Sequence, residues 1–252
     1  MIPYIEQTIW QLGPIPIQVW GFFVALGILV GLLVSARRAE KLGLEKKHVY
    51  DVATWIIVAA FVGARFTHVV FYELATYVQD PLEILRVWNG GLSITGGFIG
   101  AVIAALWYFR KHELDVYKYS DATIFGLPIG LAIGRIGCFL IHDHPGTATD
   151  FALGIQYPDG IVRHDHGLYL ALNGLALAIV FAILSRKKQP VGMFLAVFAV
   201  WYGAVRFGLD FYRAIDTTYL GLTPAQYFSM ALFIGGAWGI WRIWKTRAKM
   251  HQ

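Results

Sequence analysis

The sequence has one cysteine and few charged residues. Cys138 is the single cysteine among 252 residues, and Asp, Glu, Lys and Arg together make up only 15% of the chain. One cysteine excludes an internal disulfide framework, and so little charge excludes an ordinary soluble domain, whose surface needs many more polar residues. The sequence shows no internal repeat, which argues against a transporter built from inverted repeats. It also lacks the basic stretch that opens a signal peptide, so no cleaved leader is expected.

Long apolar runs dominate the chain instead. Hydrophobic residues make up 57% of it, and a helix needs about 20 apolar residues to cross the hydrocarbon core of a bilayer. Seven segments are near this length, and Pro128 and several glycines interrupt the fourth. These segments predict an all-α membrane protein with about seven transmembrane helices. The predicted helices are Val19–Ala36, Val52–Tyr72, Leu92–Phe109, Ala122–Ile141, Leu168–Ser185, Gly192–Phe211 and Tyr227–Trp244.

The basic residues predict how these helices are oriented. Lysines and arginines cluster after the first, third, fifth and seventh apolar segments. Because basic residues accumulate on the cytoplasmic side of membrane proteins, the N-terminus is predicted to lie outside and the C-terminus in the cytoplasm. Residues 1–252 are predicted to form a single transmembrane domain with an outer-face loop region at about 143–167. The remaining basic residues are all arginines: Arg65, Arg86, Arg135, Arg163, Arg206 and Arg213.

Arginine inside a bilayer needs a compensating partner, because its insertion costs roughly 2.5–3.5 kcal/mol. Asp210 lies four residues after Arg206 and three before Arg213, so ion pairing on one helix face is one explanation for this pair. Arg65 and Arg135 have no acidic residue at helical spacing. The alternative is an anion site, since guanidinium groups bind phosphate through paired hydrogen bonds. Phosphate at this depth belongs to lipid headgroups, so a phospholipid-handling site is predicted.

Two glycine-rich stretches accompany these arginines. One covers residues 89–97 and ends with Gly96 and Gly97, and the other, Gly134–Gly137, contains Arg135. Close helix packing is the favoured interpretation of such stretches in membrane proteins. The alternative is that the backbone approaches a ligand, with main-chain amides facing an anion.

Four histidines flank two aspartates around the predicted outer loop. The triplets are His142-Asp143-His144 and His164-Asp165-His166. An imidazole is the usual general base near neutral pH, and this set of donors could also bind zinc. Local hydrogen bonding in a polar loop is the favoured interpretation for any single histidine. A lone cysteine such as Cys138 is most often a small buried apolar residue. The alternative is a nucleophile, because His142 follows Cys138 by one helical turn and could act as its base.

Three stretches of the chain match a family pattern. Gly134–Gly146 is similar to Gly-Arg-x-Gly-Asn-Phe-x-Asn-x-Glu-x-x-Gly, and Gly90–Gly97 is similar to Gly-Gly-Leu/Met-Ser-x-His-Gly-Gly. Tyr202–Arg213 is similar to Tyr-Gly-x-x-Arg-Phe-x-x-Glu-Phe-x-Arg. These stretches resemble the prolipoprotein diacylglyceryl transferase family, and the resemblance runs from about Gly13 to Arg247. Seven membrane helices with the N-terminus outside is also the topology that this resemblance implies.

The resemblance implies an enzyme of the bacterial cytoplasmic (inner) membrane that starts lipoprotein maturation. Such an enzyme moves the diacylglyceryl group of phosphatidylglycerol to the thiol of a lipobox cysteine in the signal peptide of a preprolipoprotein. A thioether forms and glycerol phosphate leaves. The implied partners are therefore phosphatidylglycerol, the preprolipoprotein and membrane lipids. No cofactor, metal or nucleic acid is expected.

The resemblance also suggests roles for individual residues. Arg135 and Arg206 match essential family arginines and are expected to clamp the phosphate. Thr95 stands where the family has a histidine, so His142 or His144 is expected to replace the missing base. The expected catalytic residues are Arg135, Arg206, His142, His144 and Asp143, the last in place of a family glutamate. The expected substrate-binding residues are Arg135, Gly146, Tyr202, Thr95, Gly96, Gly97, Cys138 and Arg213.

The chain departs from the family pattern at its chemical centre. Thr95 replaces a histidine, Cys138 and Ile141 replace asparagines, and Trp20 replaces a tyrosine. These changes keep the arginines but remove polar groups that would handle the thiol or the lipid. Two alternatives therefore stay open. One is a related lipid transferase with a different acceptor, and the other is a catalytically inactive phospholipid-binding membrane protein.

Overall fold

The computed structural model describes residues 2–71, 73–86, 91–214 and 218–250, and within these ranges the side chains of residues 75, 94, 95 and 247–250 lie outside the description. Helices dominate the described chain. The α-helices are Val19–Lys41 (α1), Lys46–Phe71 (α2), Leu74–Gln79 (α3), Ile94–Lys111 (α4), Val116–Ile124 (α5), Leu127–Ile141 (α6), His166–Leu184 (α7), Met193–Leu209 (α8) and Pro224–Met250 (α9). Short 3₁₀ helices occupy Pro81–Leu85 and Asp210–Tyr212.

Apolar helices of membrane-spanning length confirm that this is a membrane protein. Five segments of the described chain are long and apolar enough to cross a bilayer. They are Val19–Lys41, Lys46–Phe71, Val116–Ile141, His166–Leu184 and Met193–Tyr212. The helices α4 and α9 occupy the places of the third and seventh predicted spans but are not among these five. Most observed helices run past the apolar runs, because lysine and arginine favour helix beyond the membrane edge.

The fourth predicted span is broken at the predicted place. Between α5 and α6 the helix is interrupted, and Pro128 sits in the first turn of α6, where its missing N–H costs nothing. The hydroxyl of Ser35 donates to the carbonyl of Thr123 at 2.8 Å and accepts from the amide of Gly126 at 3.1 Å. A Cβ on Gly126 would collide with the carbonyl oxygen of Gly31. This glycine therefore lets α1 lie directly against the break.

The chain divides into two compact units. The larger consists of Met1–Arg38 and Ser120–Gln252, and the smaller of Ala39–Tyr119. In the larger unit an aromatic core of Phe181, Phe194 and Phe198 packs around Leu177 on α7 and α8. In the smaller unit Tyr108, Phe109 and Tyr119 pack around Val52. The single transmembrane domain expected from the sequence stays a prediction.

A small β-sheet lies in the region predicted as an outer loop. The sheet has the strand order β1-β5-β6-β4, with β1 parallel to β5 and the other pairs antiparallel. Its strands are Ile2–Pro3 (β1), Pro145–Ala148 (β4), Ile155–Gln156 (β5) and Val162–Asp165 (β6), and a separate hairpin joins Ile9–Leu12 (β2) to Ile15–Gln18 (β3). Strands of two to four residues are too short to leave a recognisable alternation of apolar and polar residues in the sequence.

Arg65 binds a set of main-chain carbonyl oxygens. Its guanidinium donates to the carbonyl oxygens of Ile84 (2.9 Å), Gly91 (3.0 Å) and Glu83, and it lies 5.0 Å from the ring of Tyr77. The residue is only 6% exposed. These contacts tie α2 to the segment before α4 and give a buried cation hydrogen-bond partners. Arg65 therefore has a structural role within the smaller unit.

Gly96 and Gly97 have different packing environments, which gives a matched pair of variants. A Cβ on Gly96 would collide with the carbonyl of Gly63 and the side chain of Thr67, whereas a Cβ on Gly97 would rest at ordinary contact distance, 3.6 Å, from Ala64. Gly96→Ala is expected to destabilise the protein by about 1–3 kcal/mol through overpacking. Gly97→Ala is expected to be neutral or slightly stabilising. Thermal unfolding in detergent measures both, and equal losses for the two variants would contradict this account of the α2–α4 contact.

Candidate active site

Two arginines converge on one buried carboxylate at the end of α8. Arg206 Nη2 lies 3.0 Å from Asp210 Oδ1, and Arg213 Nη1 lies 3.8 Å from the same oxygen. The spacing of these residues in the sequence predicted this arrangement, and the structure confirms the ion pairing. The other carboxylate oxygen of Asp210 accepts a hydrogen bond from the hydroxyl of Thr223. Asp210 therefore has two cationic partners at Oδ1, which makes no hydrogen bond of good geometry with the described residues, and one hydroxyl donor at its other oxygen.

Thr223 and Gln226 fix this carboxylate to α9. The amide of Thr223 donates to the side chain of Gln226 at 2.9 Å, and the amide of Gln226 donates to the hydroxyl of Thr223 at 3.1 Å. This reciprocal pair is a capping box at the start of α9. The side-chain amide of Gln226 also reaches the carbonyl of Phe207 at 3.3 Å. The pair therefore holds α9 against α8, and the spacing Thr-x-x-Gln was a signal in the sequence that could have been recognised.

Arg135 joins these groups from α6. Its guanidinium interacts electrostatically with that of Arg206, as does Arg213. Within the described chain, no carboxylate lies within ion-pairing distance of Arg135; its hydrogen-bond contact is the sulfur of Cys138 at 3.8 Å. A third guanidinium near one engaged carboxylate leaves the cluster positively charged. Such a cluster is suited to bind an anion.

A small recess, with room for about one water molecule, lies between α6, α7 and α8 beside Arg135. Arg135 and Tyr202 both line it, so the structure brings these two predicted site residues together. The ring of Tyr202 stacks on Phe198 at 5.4 Å between centroids. The remaining lining is mostly apolar: Pro128, Leu131, Leu170, Asn173, Gly174 and Leu177. The recess itself is too small for acyl chains, but its lining joins one guanidinium group to apolar side chains, the two kinds of surface that a phospholipid needs.

Cys138, Asp143 and His144 form a polar group next to Arg135. Their potential ligand atoms lie within 4.8 Å of one another, and His144 Nδ1 lies 2.5 Å from Asp143 Oδ1. Thiolate, carboxylate and imidazole are zinc ligands. The guanidinium of Arg135 at the sulfur opposes a second cation there. The expectation that no metal is bound therefore stays a prediction.

His142 points away from this group and into the small sheet. It ends α6 in a left-handed conformation with φ 49°, and its Nδ1 lies 2.7 Å from Asp165 Oδ2. The ring of Tyr4 stacks on it at 4.2 Å between centroids, and the hydroxyl of Tyr157 donates to the same Asp165 oxygen at 3.2 Å. Burial and the Asp165 carboxylate raise the pKa of Tyr157. These contacts make His142 part of the buried core of the sheet.

Gly146 connects the sheet to Arg213. It forms an antiparallel β-bridge with Arg213, and a Cβ at this position would lie 2.8 Å from the Cβ of His164. Only glycine fits so close to the neighbouring strand. His164 Nδ1 lies 2.8 Å from the hydroxyl of Tyr169, and burial lowers the pKa of His164. Gly146 therefore fixes the position of one arginine of the cluster.

Other predicted site residues lie in the other compact unit. Gly96 packs against α2 of that unit, and Gly97 follows it on α4. Thr95 is part of α4, but its side chain lies outside the described residues. The structure therefore accounts for Gly96 by helix packing.

The sequence singled out Asp165 and His166 only as members of a His-Asp-His triplet and did not predict the positions that they take here. Asp165 caps α7, accepting from the amide of Leu168 at 2.9 Å. An aspartate directly before an apolar run is a recognisable helix-start signal. No sequence pattern indicates that His166 is buried next to the arginines, because that depends on contacts with the distant residues 206–213.

The fold and the site define a helical membrane protein with an arginine cluster beside an apolar recess. The sequence model of the family described as prolipoprotein diacylglyceryl transferase matches residues 7–242. A relative from Pseudomonas fluorescens (strain Pf0-1) is 34% identical over 256 residues, covering 96% of this chain and 94% of its own. Relatives from Pseudomonas savastanoi pv. phaseolicola and Pseudoalteromonas atlantica are 33% and 32% identical, covering 97% and 99% of this chain and 96% and 93% of their own. All three are called phosphatidylglycerol–prolipoprotein diacylglyceryl transferase. The chain belongs to the prolipoprotein diacylglyceryl transferase family.

Proposed function

We propose that this protein transfers the diacylglyceryl group of phosphatidylglycerol to the thiol of a lipobox cysteine in a preprolipoprotein signal peptide. The observation that carries the proposal is the electrostatic interaction of Arg135 with Arg206, where Arg135 also lines a small apolar recess and lacks a carboxylate partner among the described residues. A phosphate bound there would have its diacylglyceryl tails beside the apolar lining. Family membership supports this donor and acceptor.

The reaction replaces a carbon–oxygen bond by a carbon–sulfur bond. The thiol sulfur attacks the diacylglyceryl carbon next to the phosphate ester oxygen, the thiol proton passes to a base, and glycerol phosphate leaves with the electrons of the broken bond. Arg135 and Arg206 stabilise the charge that develops on the leaving phosphate, which is usually a large part of catalysis. Arg213, Gly146 and Tyr202 line or position this clamp.

The other proposed substrate-binding residues are Thr95, Gly96, Gly97 and Cys138, and the evidence for the first three differs from that for the last. The family resemblance alone supports substrate contacts for Thr95, Gly96 and Gly97. Cys138 is placed against Arg135, where it borders the phosphate rather than carrying lipid. A covalent carrier must pass its lipid on to the acceptor. If a thioether formed on this cysteine, the lipid could be passed on only with the cysteine thiolate as leaving group, and a thiolate is a poor leaving group from an alkyl carbon. Cys138 is therefore assigned to binding.

The base is His144, positioned by Asp143. Both lie next to Cys138 and Arg135, and the side chain of His144 is 36% exposed and so is reachable by a thiol. The side chain of His142 is 1% exposed and already paired with Asp165. The contacts therefore favour His144 over His142, the alternative that the sequence left open.

His144→Ala is expected to lower the transfer rate by about 10²-fold or more, because a positioned general base contributes that much. Its thermal unfolding temperature should stay close to that of the unmodified protein. His142→Ala is expected to unfold at a lower temperature, because it leaves Asp165 buried without its imidazole partner. The part of the His142→Ala protein that stays folded should keep its transfer rate. Full activity in His144→Ala would refute the base assignment. A loss of activity without loss of stability in His142→Ala would move the role to His142.

The proposed topology has seven spans, the N-terminus outside and the C-terminus in the cytoplasm of a bacterial cell, within its cytoplasmic membrane. The clustering of lysine and arginine after alternate apolar segments supports this orientation. Helices at α4 and α9 support the two spans beyond the five that qualify by length and composition.

The test is transfer itself. Purified protein is mixed with phosphatidylglycerol labelled in its acyl chains and a lipobox peptide, and the mass of the peptide is followed. The proposal predicts a thioether-linked diacylglyceryl group on the cysteine. Transfer to another thiol or amine but not to the lipobox would indicate a different acceptor. Tight phosphatidylglycerol binding without any transfer would indicate an inactive lipid-binding protein.

A further inference from the structure

His166 is a buried histidine that the reaction described above does not use. It is the first residue of α7 and is 2% exposed. Its main-chain amide donates to the carbonyl of His144 at 3.3 Å, which fixes the residue in place. The carbonyl of Tyr212 approaches the ring, yet neither ring nitrogen completes a hydrogen bond of good geometry within the described chain. A buried imidazole with an unpartnered nitrogen is uncommon, because leaving a polar group unsatisfied is costly.

The surroundings of this ring are the arginine cluster. Arg206, Arg213 and Asp210 all interact electrostatically with His166. A ring buried beside two guanidinium groups is better suited to form hydrogen bonds as an uncharged imidazole than to hold a proton. In that state one ring nitrogen donates and the other accepts. The main-chain carbonyl of Tyr212 can accept from the protonated ring nitrogen. The other ring nitrogen can then accept a hydrogen bond from a ligand.

We propose that His166 forms a headgroup subsite that accepts a hydrogen bond from a hydroxyl of the lipid's terminal glycerol. The inference rests on the proposed function, since it takes the arginine cluster as the place where the donor phosphate binds. The terminal glycerol is bonded to that phosphate, so a group beside Arg206 and Arg213 is within its reach. A hydroxyl offers the proton that the free ring nitrogen lacks.

The same subsite disfavours a cationic headgroup. An ammonium group placed there would face Arg206 and Arg213. The single carboxylate of Asp210 is already shared between these two guanidinium groups, so it cannot neutralise a third cation as well. The site therefore selects an uncharged, hydroxyl-bearing headgroup, which is the chemical class of glycerol.

The experiment compares two donor lipids that differ only in the headgroup hydroxyls. Phosphatidylglycerol is tested against a phosphatidyl lipid of the same acyl chains with an unsubstituted propyl headgroup, and kcat/KM for transfer to a lipobox peptide is measured for each. The unmodified protein should prefer phosphatidylglycerol by about 10- to 100-fold, as expected when one buried acceptor is left without its hydroxyl partner. His166→Ala should reduce this preference to within about threefold. His166→Asn, whose amide can both donate and accept, should retain part of it.

A histidine elsewhere provides the matched control. His112 is an exposed residue that ends α4, and His112→Ala should keep the full preference. An unchanged preference in both folded His166 variants would overturn the inference, as would equal use of the two lipids by the unmodified protein. No transfer from either lipid by folded, unmodified protein would instead overturn the proposed function, and the subsite with it. If His166→Ala fails to fold, the preference of His166→Asn alone tests the inference. The preference is a ratio of two kcat/KM values measured on the same protein, so it needs no comparison with His166→Ala.

Discussion

Arg135→Ala is expected to lower the rate of diacylglyceryl transfer by about 10²- to 10³-fold or more, the usual effect of removing one group that stabilises a developing anion. The physical reason is the lack of a carboxylate partner among the described residues. An arginine held only by a 3.8 Å contact to Cys138 contributes little to the fold, so its removal should act on the substrate phosphate. The measurement is the initial rate of transfer from labelled phosphatidylglycerol, with the unfolding temperature of the same preparation as the check on folding.

Two further variants sharpen this test. Arg135→Lys keeps the positive charge but loses the paired hydrogen bonds of the guanidinium group, so it should recover only part of the lost rate. Arg186→Ala removes an exposed arginine at the end of α7 and should leave the rate unchanged. If Arg135→Ala transfers at the unmodified rate, the assignment of Arg135 to the phosphate clamp is wrong.

Asp210→Ala is expected to destabilise the protein by about 3–5 kcal/mol, because it leaves two guanidinium groups without the buried carboxylate between them. The same substitution also removes the acceptor for the Thr223 hydroxyl at the start of α9. Thermal or denaturant-induced unfolding in detergent measures the loss.

The chain supplies a matched control for this variant. Arg163 and Asp159 form an ion pair with the same four-residue separation, but at an exposed position in the small sheet region. Asp159→Ala should lower the stability far less than Asp210→Ala does, since exposed ion pairs contribute little. Similar losses for the two variants would show that burial of Asp210 does not govern the stability of the cluster.

Local spacing made part of this fold and site predictable. Apolar run length located the helices, because a span of the bilayer requires about 20 such residues. The four- and three-residue spacings around Asp210 predicted its contacts with Arg206 and Arg213, because such residues share a helix face. Pro128 predicted the break between α5 and α6 for the same local reason.

Contacts between distant parts of the chain were not predictable in this way. Arg65 has no acid at helical spacing, and the carbonyl oxygens of Ile84 and Gly91, to which it donates, lie 19 and 26 residues along the chain. His142 and His144 are two residues apart, yet one enters the sheet beside Asp165 and the other lies beside Cys138. That difference follows from the left-handed turn at His142, which redirects the chain after α6. A sequence pattern of alternating His and Asp contains no information on this turn.

The most direct test of the central claim is equilibrium binding of lipid to the unmodified protein and to Arg135→Ala. Phosphatidylglycerol is compared with diacylglycerol of the same acyl chains, which has the apolar part but no phosphate. A phosphate clamp predicts that Arg135→Ala weakens phosphatidylglycerol binding at least about tenfold while diacylglycerol binding stays unchanged. Equal affinities of the two proteins for phosphatidylglycerol would contradict the account.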